Sequence, residues 1–196
     1  NWGNYPVIES EERTFSYTED IQQYITSKKS FIARGNGRCY GDASLADDTL
    51  STLKYDKVLS FDTEKGLFEC QSGLTLDKIL DIIVPKGWFL PVTPGTKFIT
   101  IGGAVASDVH GKNHHIDGCF SAHIIEMDIA CDESKIITCS PTENAELFWA
   151  TCGGMGLTGV ILRVKFDLKK IETSYIKQKQ VKAKNLEEII ALFEKY

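Results

Sequence analysis

The sequence predicts an α+β fold, and three observations carry that prediction. An amphipathic helix running straight into a short apolar strand opens the chain, a second helix of period 3.6 sits near its middle, and beyond residue 120 the apolar period drops to two. Helix–strand pairs first and antiparallel strands later are the order of an α+β domain, not of a doubly wound parallel sheet. With 196 residues, 42% hydrophobic, and three Trp, seven Tyr and ten Phe, the chain can bury one core, or one core plus the start of a second. That composition excludes a disordered tail. No window reaches 18 uninterrupted apolar residues, which excludes a transmembrane helix. A net charge of −5 argues against a nucleic-acid partner.

Each element has its own signal. Residues 18–28 read as a helix with Thr18 as N-cap, Glu19 and Asp20 in the first turn, and Lys28 and Lys29 at the end. Phe31, Ile32 and Ala33 form a buried strand that runs into a glycine-rich turn. Residues 49–72 read as short strands broken at Asp56-Lys57 and Glu64-Lys65-Gly66. Residues 75–84 are the second helix, with Leu76, Ile79, Leu80 and Ile83 on one face, and Pro85 and Gly87 stop it. From residue 123 to 131, Ile125, Met127 and Ile129 alternate with Glu126, Asp128 and Ala130; a turn at Asp132-Glu133-Ser134 returns the chain through 135–139 as a hairpin. Ser140-Pro141-Thr142-Glu143 carries a helix-start signature, with Leu147, Phe148 and Trp149 inside the helix and Gly153-Gly154 ending it. Residues 159–166 make another strand, and 186–193 an amphipathic run.

From Lys165 onward there are eight lysines against five acids, whereas the preceding part holds fourteen basic and twenty-two acidic side chains. That shift places a domain boundary near residue 170: residues 1–168 form the first domain and 169–196 the start of another. An opening at Asn1 without Met and a close inside an amphipathic run lead us to expect a fragment. The six cysteines, with no two closer than eight residues and no signal peptide before them, read as buried free thiols of a reducing, cytoplasmic compartment.

Four segments are candidates for chemistry. Arg34-Gly35-Asn36-Gly37-Arg38-Cys39-Tyr40-Gly41-Asp42 sets three glycines among two arginines, so that backbone N–H groups can converge on an anion. Its spacing is neither that of a Rossmann fingerprint nor that of a P-loop; the plain alternative is a flexible turn. Pro94-Gly95-Thr96 and Thr100-Ile101-Gly102-Gly103, continuing to Ser107-Asp108, are built of small residues that let backbone approach an elongated ligand, or that simply pack a helix end. His110-Gly111-Lys112-Asn113-His114-His115, with His123 beyond, holds every histidine of the chain. Without an H-E-x-x-H pattern, and with two histidines adjacent, a polar active-site loop is preferred to a zinc site. The fourth segment, residues 146–161, reads by itself as architecture.

Taken together, R-G-x-G-R-x-Y-G-D, P-G-T, T-x-G-G-A-x-x-x-D-x-H-G-K-N-H-H and E-L-F-W-A-T-x-G-G-x-G-L-T-G resemble the FAD-binding domain of the vanillyl-alcohol oxidase or PCMH-type flavoproteins. The resemblance runs from Trp2 to Phe166 and is closest to the decaprenylphosphoryl-β-D-ribose 2-oxidase branch, with H-G-K-N-H-H its most specific element. It implies two α+β subdomains with FAD between them and a separate substrate domain over the isoalloxazine. Arg34, Gly35, Asn36, Gly37, Arg38, Cys39, Tyr40, Gly41 and Asp42 would wrap the diphosphate. Gly95, Thr100, Ile101, Gly102 and Gly103 would line the diphosphate and ribityl region, and Val160 would meet the adenine side through its backbone. Ser107, Asp108 and His110 would run beside the flavin, with His110 and Lys112 as catalytic residues near its reactive face, and no metal is implied. Arg38 stands where covalent members carry a flavin-linking histidine, so FAD is expected to be non-covalent. The implied activity is oxidation of a secondary sugar hydroxyl, on a sugar or polyprenyl-phosphate pentose, by hydride transfer to flavin N5. A short-chain reductase would complete an epimerisation in polysaccharide biosynthesis, and the lipid-linked substrate would draw the full-length protein to a membrane. This chain alone is expected to be inactive. The alternatives are a sugar-lactone or alditol oxidase of the same fold and a non-catalytic, metal-binding domain.

Overall fold

The computed structural model describes residues 1–27, 30–131 and 135–196. In chain order its elements are β1 (Glu11–Thr14), α1 (Thr18–Ser27), β2 (Ile32–Arg34), β3 (Asp48–Ser51), β4 (Val58–Asp62), β5 (Leu67–Gln71), α2 (Leu76–Ile83), β6 (Trp88–Phe89), α3 (Ile101–Ala106), α4 (His114–Asp117), β7 (Ile124–Ala130), β8 (Ile136–Cys139), α5 (Ala145–Thr151), β9 (Val160–Asp167), β10 (Lys169–Lys170) and α6 (Leu186–Lys195). Among the described residues they build three sheets: two that each carry a core, and a two-stranded ribbon of β6 and β10. A parallel three-stranded sheet of order β1-β3-β2 carries α1, and an antiparallel five-stranded sheet of order β4-β5-β9-β7-β8 carries α2, α3 and α5. This is the α+β class read from the sequence.

The larger core is aromatic. Phe68 on β5 and Phe166 on β9 have ring centroids 5.7 Å apart, Phe120 lies 5.6 Å from Phe166, and Phe148 of α5 is buried in the same cluster. Each fully buried ring of this size contributes roughly 1.5–3 kcal/mol. The apolar face of α2 closes the cluster with Leu76, Ile79 and Ile83, and its chain stops at Gly87, whose φ of +81° is open to glycine. The smaller core gathers Phe15, Ile21, Tyr24, Leu50 and Tyr55 with Val160 and Leu162 of β9.

One irregularity joins the two cores. β7 pairs Asp128 with Arg163 and then Ile129 with Ile161, so Leu162 has no partner across the ladder. An extra residue in one strand bends it and re-aims its side chains. Val164 and Phe166 therefore face the larger core, while Leu162 and Val160 face the smaller one. A second shift, between Ile124 and Glu126, turns Ile125 outward to 37% exposure and buries Ile124 in its place, correcting the simple alternation expected for this strand.

Two helix starts also differ from expectation. Thr18 is the first helical residue rather than a cap, and its hydroxyl pairs with that of Tyr55 at 3.0 Å; the Asp20 carboxylate accepts from the Tyr17 N–H instead. Ser140 Oγ accepts from the N–H groups of Thr142 and Glu143, but this closes a turn, and α5 begins only after Asn144 in the left-handed region. Lys28, Lys29 and the hairpin turn at Asp132-Glu133-Ser134 lie outside the described residues. At the far end β10 pairs with β6, and the Ile171 N–H donates to the Gly87 carbonyl at 2.9 Å. Residues 172–185 form no strand or helix, and α6 follows with no buried residue.

Candidate functional site

The first glycine loop leaves β2 where that strand meets β3, and it is pinned from beneath. The Arg34 guanidinium donates to the Ser44 carbonyl at 2.9 Å and to its hydroxyl at 3.1 Å, so Arg34 supports the loop and points away from its mouth. Gly37 has φ +58°, and a Cβ there would stand 2.5 Å from the Arg34 guanidinium. That left-handed backbone favours glycine, and a side chain there would have to displace the Arg34 guanidinium. Arg38 reaches back to the Asn36 carbonyl at 3.1 Å and is otherwise exposed. Above the loop, the Trp2 N–H donates to the Cys39 carbonyl at 2.8 Å, laying the N-terminal segment across it.

A second segment meets the first edge to edge. Gly35 is so close to Thr100 that a Cβ would overlap the Thr100 hydroxyl, and the Asn36 amide donates to the Phe98 carbonyl at 2.9 Å. Thr100 caps α3 by accepting from the Gly103 N–H at 3.2 Å. Ile101 turns inward and is fully buried, so its backbone alone faces the loop side. The α3 end is tied to the fourth segment, since the Gly153 N–H donates to Val105 and the Met155 N–H to Ala106.

Between these segments lies a cleft of about 650 Å³, well within the range of small-molecule sites. Its lining gathers most of the predicted residues: Gly35, Asn36, Gly37, Arg38, Cys39, Tyr40 and Gly41 from the first loop, and Gly95, Thr100, Gly102, Gly103, Ser107 and His110 from the second and third segments. Arg34, Asp42, Ile101, Asp108, Lys112 and Val160 are not part of the lining. Asp108, at φ +40°, spends its carboxylate on Ser121, accepting from its N–H at 2.8 Å and its hydroxyl at 3.0 Å. Lys112 is exposed, because Gly111 packs on the Thr93 backbone and the Asn113 amide is anchored to the Pro91 carbonyl and the Asp117 carboxylate. Val160 is buried in the smaller core, while its neighbours Gly159 and Ile161 line the cleft.

Sequence reasoning missed Trp2, Thr52, Ser72, Met155 and Gly156, which also line the cleft. The glycine run of the fourth segment was a usable signal for Gly156 and Gly159. Nothing local marks Ser72 or Thr52, which arrive from separate strand ends.

The four histidines divide. His110 stands on the cleft wall, held by a bridge to Cys119 and by the Phe120 N–H bonding the Val109 carbonyl. The rings of His110 and His114 are 5.9 Å apart, and among the described residues no three His, Cys, Asp or Glu side chains are placed to share a metal ion. His123 is used structurally, with Nδ1 3.1 Å from Asp167 and Nε2 2.8 Å from the Asp117 carbonyl. Burial pushes the Cys139 thiol up to about 11 and the Cys152 thiol up to about 12, so neither is a ready nucleophile.

The cleft's chemistry suits a dinucleotide. Although the chain carries a net charge of −5, the described residues lining the cleft include no carboxylate, and their basic side chains are Arg38 and His110. A Cβ on Gly41 or Gly95 would meet no atom within 4 Å, so backbone borders open space there. Ser72 adds a buried hydroxyl without a partner among the described residues. Anionic phosphate, close backbone approach and a hydrogen-bonding linker all find matching walls.

Comparison with known proteins gives the same reading. The model of the FAD binding domain family matches residues 18–140, more than half of the chain. Decaprenylphosphoryl-β-D-ribose oxidase of Mycolicibacterium smegmatis is 37% identical over 150 residues, covering 75% of this chain and 33% of that protein. Human Delta(24)-sterol reductase is 24% identical over 136 residues (69% of this chain, 26% of the relative), and a putative D-arabinono-1,4-lactone oxidase of Neurospora crassa is 27% identical over 141 residues (71% and 25%). The chain thus spans a quarter to a third of the length of these relatives. With a matching family model over its first two helices and both glycine segments, and with a carboxylate-free cleft between them, the chain belongs to the FAD binding domain family of PCMH type and its cofactor is FAD.

Proposed function

We propose that this chain is the cofactor-holding part of an oxidoreductase that oxidises a secondary hydroxyl of a polyprenyl-phosphate pentose. The observation that carries the proposal is the glycine-walled, carboxylate-free cleft with His110 on its wall, in a chain 37% identical to a decaprenylphosphoryl-β-D-ribose oxidase. When bound, the flavin supplies the redox chemistry by accepting a hydride from the carbinol carbon. The protein's part is to bind and orient. Backbone of the loop from Arg34 to Asp42 wraps the diphosphate, and Arg38 offers the nearest mobile cation. Gly95 and the Thr100–Gly103 stretch admit the ribityl region, Gly159 and the Val160 backbone border the adenine side, and Ser107 and Asp108 lead the chain to His110. His110 can hold or pass a proton at its ring nitrogens beside the reacting carbon. Lys112, on the same loop but turned outward, acts on the substrate's anionic end. Arg38 stands where covalent members of the family carry a flavin-linking histidine, and FAD is therefore expected to be non-covalent.

A short-chain reductase would use the ketone product, and a lipid-linked substrate would draw the full-length enzyme to a bilayer. Among the described residues no helix is long and apolar enough to cross one. A lactone oxidase activity is the second reading, supported by the Neurospora crassa relative. The test is direct: acid precipitation of the yellow protein should leave all flavin in the supernatant, and the full-length protein should reduce a dye with polyprenyl-phosphate ribose faster than with a sugar lactone. Flavin in the pellet sinks the non-covalent assignment, and the reverse substrate order sinks the sugar-phosphate reading.

A further inference from the structure

We propose that Ser72 is a further cofactor-holding residue, its hydroxyl bonding the ribityl–diphosphate stretch of the dinucleotide at the floor of the cleft; this rests on the FAD reading above. Ser72 lies just past β5 and is 1% exposed, yet it lines the cleft. Its Oγ meets no hydrogen-bond partner among the described residues. Buried polar side chains are nearly always partnered, and one without a partner calls for a specific cause. The other two buried hydroxyls of the lining are already committed: Thr52 Oγ1 donates to the Arg34 carbonyl, and Thr100 Oγ1 accepts from Gly103.

The backbone cannot withdraw this side chain. The Ser72 N–H donates to the carbonyl of the unpaired Leu162 at 2.8 Å, and the Ser72 carbonyl accepts from the Gly102 N–H at 2.9 Å. Behind it, Gly73 is pressed on the Thr52 carbonyl, and a Cβ on Gly102 would stand 2.9 Å from the Ser72 Cβ. No hydrogen bond holds the hydroxyl, which is left to turn among its staggered positions about the Cα–Cβ bond. Ser72 thus sits where the root of the first glycine loop meets α3, the two segments assigned to the diphosphate and ribityl groups. A serine hydroxyl can donate to a phosphate oxygen or accept from a ribityl hydroxyl, and either bond supplies the missing partner.

Ser72→Ala separates this role from a structural one, because it removes an orphan oxygen from the cofactor-free protein and a binding partner from the loaded one. In the intact protein, equilibrium dialysis with FAD should show affinity about tenfold weaker. The melting temperature of the FAD-stripped variant should equal or exceed that of the wild type. Ser72→Cys, similar in volume but a poor hydrogen-bonding group, should lose affinity as well. An FAD affinity within twofold of wild type in both variants overturns the proposal, and so does a lower melting temperature of the stripped Ala variant. Failure of the wild type to bind FAD would instead overturn the FAD reading on which this rests.

Discussion

The carboxylate of Asp108 accepts both the N–H and the hydroxyl of Ser121, at 2.8 and 3.0 Å, and so fastens the stretch leading to His110 onto the short turn at Phe120–His123. Asp108 holds this pose at φ +40°, a region that Asp and Asn tolerate and Ala does not. Asp108→Ala should therefore destabilise the fold by about 1–3 kcal/mol through its lost hydrogen bonds alone. Asp108→Asn, which keeps one acceptor and the backbone preference, should cost clearly less. Urea unfolding of the two variants checks the order, and equal losses would show that the Ser121 bonds are not what fixes this turn.

The glycines of the cleft should fall into two groups. Gly37→Val should cost both stability and flavin, since its φ of +58° and the Arg34 guanidinium 2.5 Å from a Cβ leave no room. At Gly41 and Gly95 a Cβ meets nothing within 4 Å, so Val there should leave the melting temperature within about 2 °C while weakening FAD binding. Gly103→Val, whose Cβ would stand 3.2 Å from the Thr100 hydroxyl, should fall between them. Flavin titration beside thermal melts reads both effects. Unchanged FAD affinity in the Gly41 and Gly95 variants would move the cofactor away from those walls.

What the sequence made legible was what is decided locally. α2 could be read because Leu76, Ile79 and Ile83 repeat at helical spacing and Pro85 and Gly87 close the run. The glycine loop could be read because its residues are contiguous. β1 could not, since Glu11–Thr14 is exposed throughout and is held by its backbone ladder to β3. The start of α5 was misread because the Ser140 signature closes a turn equally well, and the Asn144 amide bonding the Thr138 carbonyl makes the turn the better use of it. His110 lines the cleft whereas Lys112 is exposed outside the lining, a difference that their closeness in sequence does not show. Ser72 had no signal at all, because its setting depends on Gly102 and Leu162, which lie far away in the chain.

Arg163 should be the most costly exposed-face residue to remove. Its guanidinium donates to Asp128 at 2.6 and 2.8 Å, to Glu126 at 2.7 Å and to Glu69 at 2.9 Å, across three strands. Burial pushes the Asp128 carboxyl up, but hydrogen bonds from Arg163 and Thr138 and the charge of Arg163 together hold it below the usual range. A carboxyl lowered in this way contributes stability that is fully present above its unfolded value and is lost as pH falls through its folded one. Arg163→Leu should cost on the order of 3 kcal/mol at pH 7, where three carboxylates lose their partner. The cost should shrink below about pH 4, where Asp128 protonates in the unfolded chain and its lowered folded-state value no longer adds stability. Unfolding at the two pH values decides it, and a loss that does not vary with pH would assign the effect to packing.

His110 and Lys112 should differ in the full-length enzyme. His110 stands on the cleft wall, with its backbone fixed by the bridge to Cys119, and under the proposed function its ring would exchange a proton with the substrate. Removing a positioned acid or base typically costs about 10²–10⁴-fold in rate. Lys112 is exposed and outside the lining, so it can reach only a group that projects from the cleft, and its loss should act mainly on substrate binding. His110→Ala should therefore lower kcat for dye reduction with polyprenyl-phosphate ribose by at least about a hundredfold with FAD content unchanged. Lys112→Ala should raise KM with a smaller effect on kcat. The 196-residue chain, even loaded with FAD, should turn over far more slowly than the full-length protein: it spans a third of the oxidase it matches, and a misplacement of about 1 Å can cost on the order of 100-fold. A Lys112 variant weaker in kcat than the His110 variant would place the proton transfer outside the cleft, and turnover by the short chain equal to that of the full-length protein would show that the site is complete within these residues.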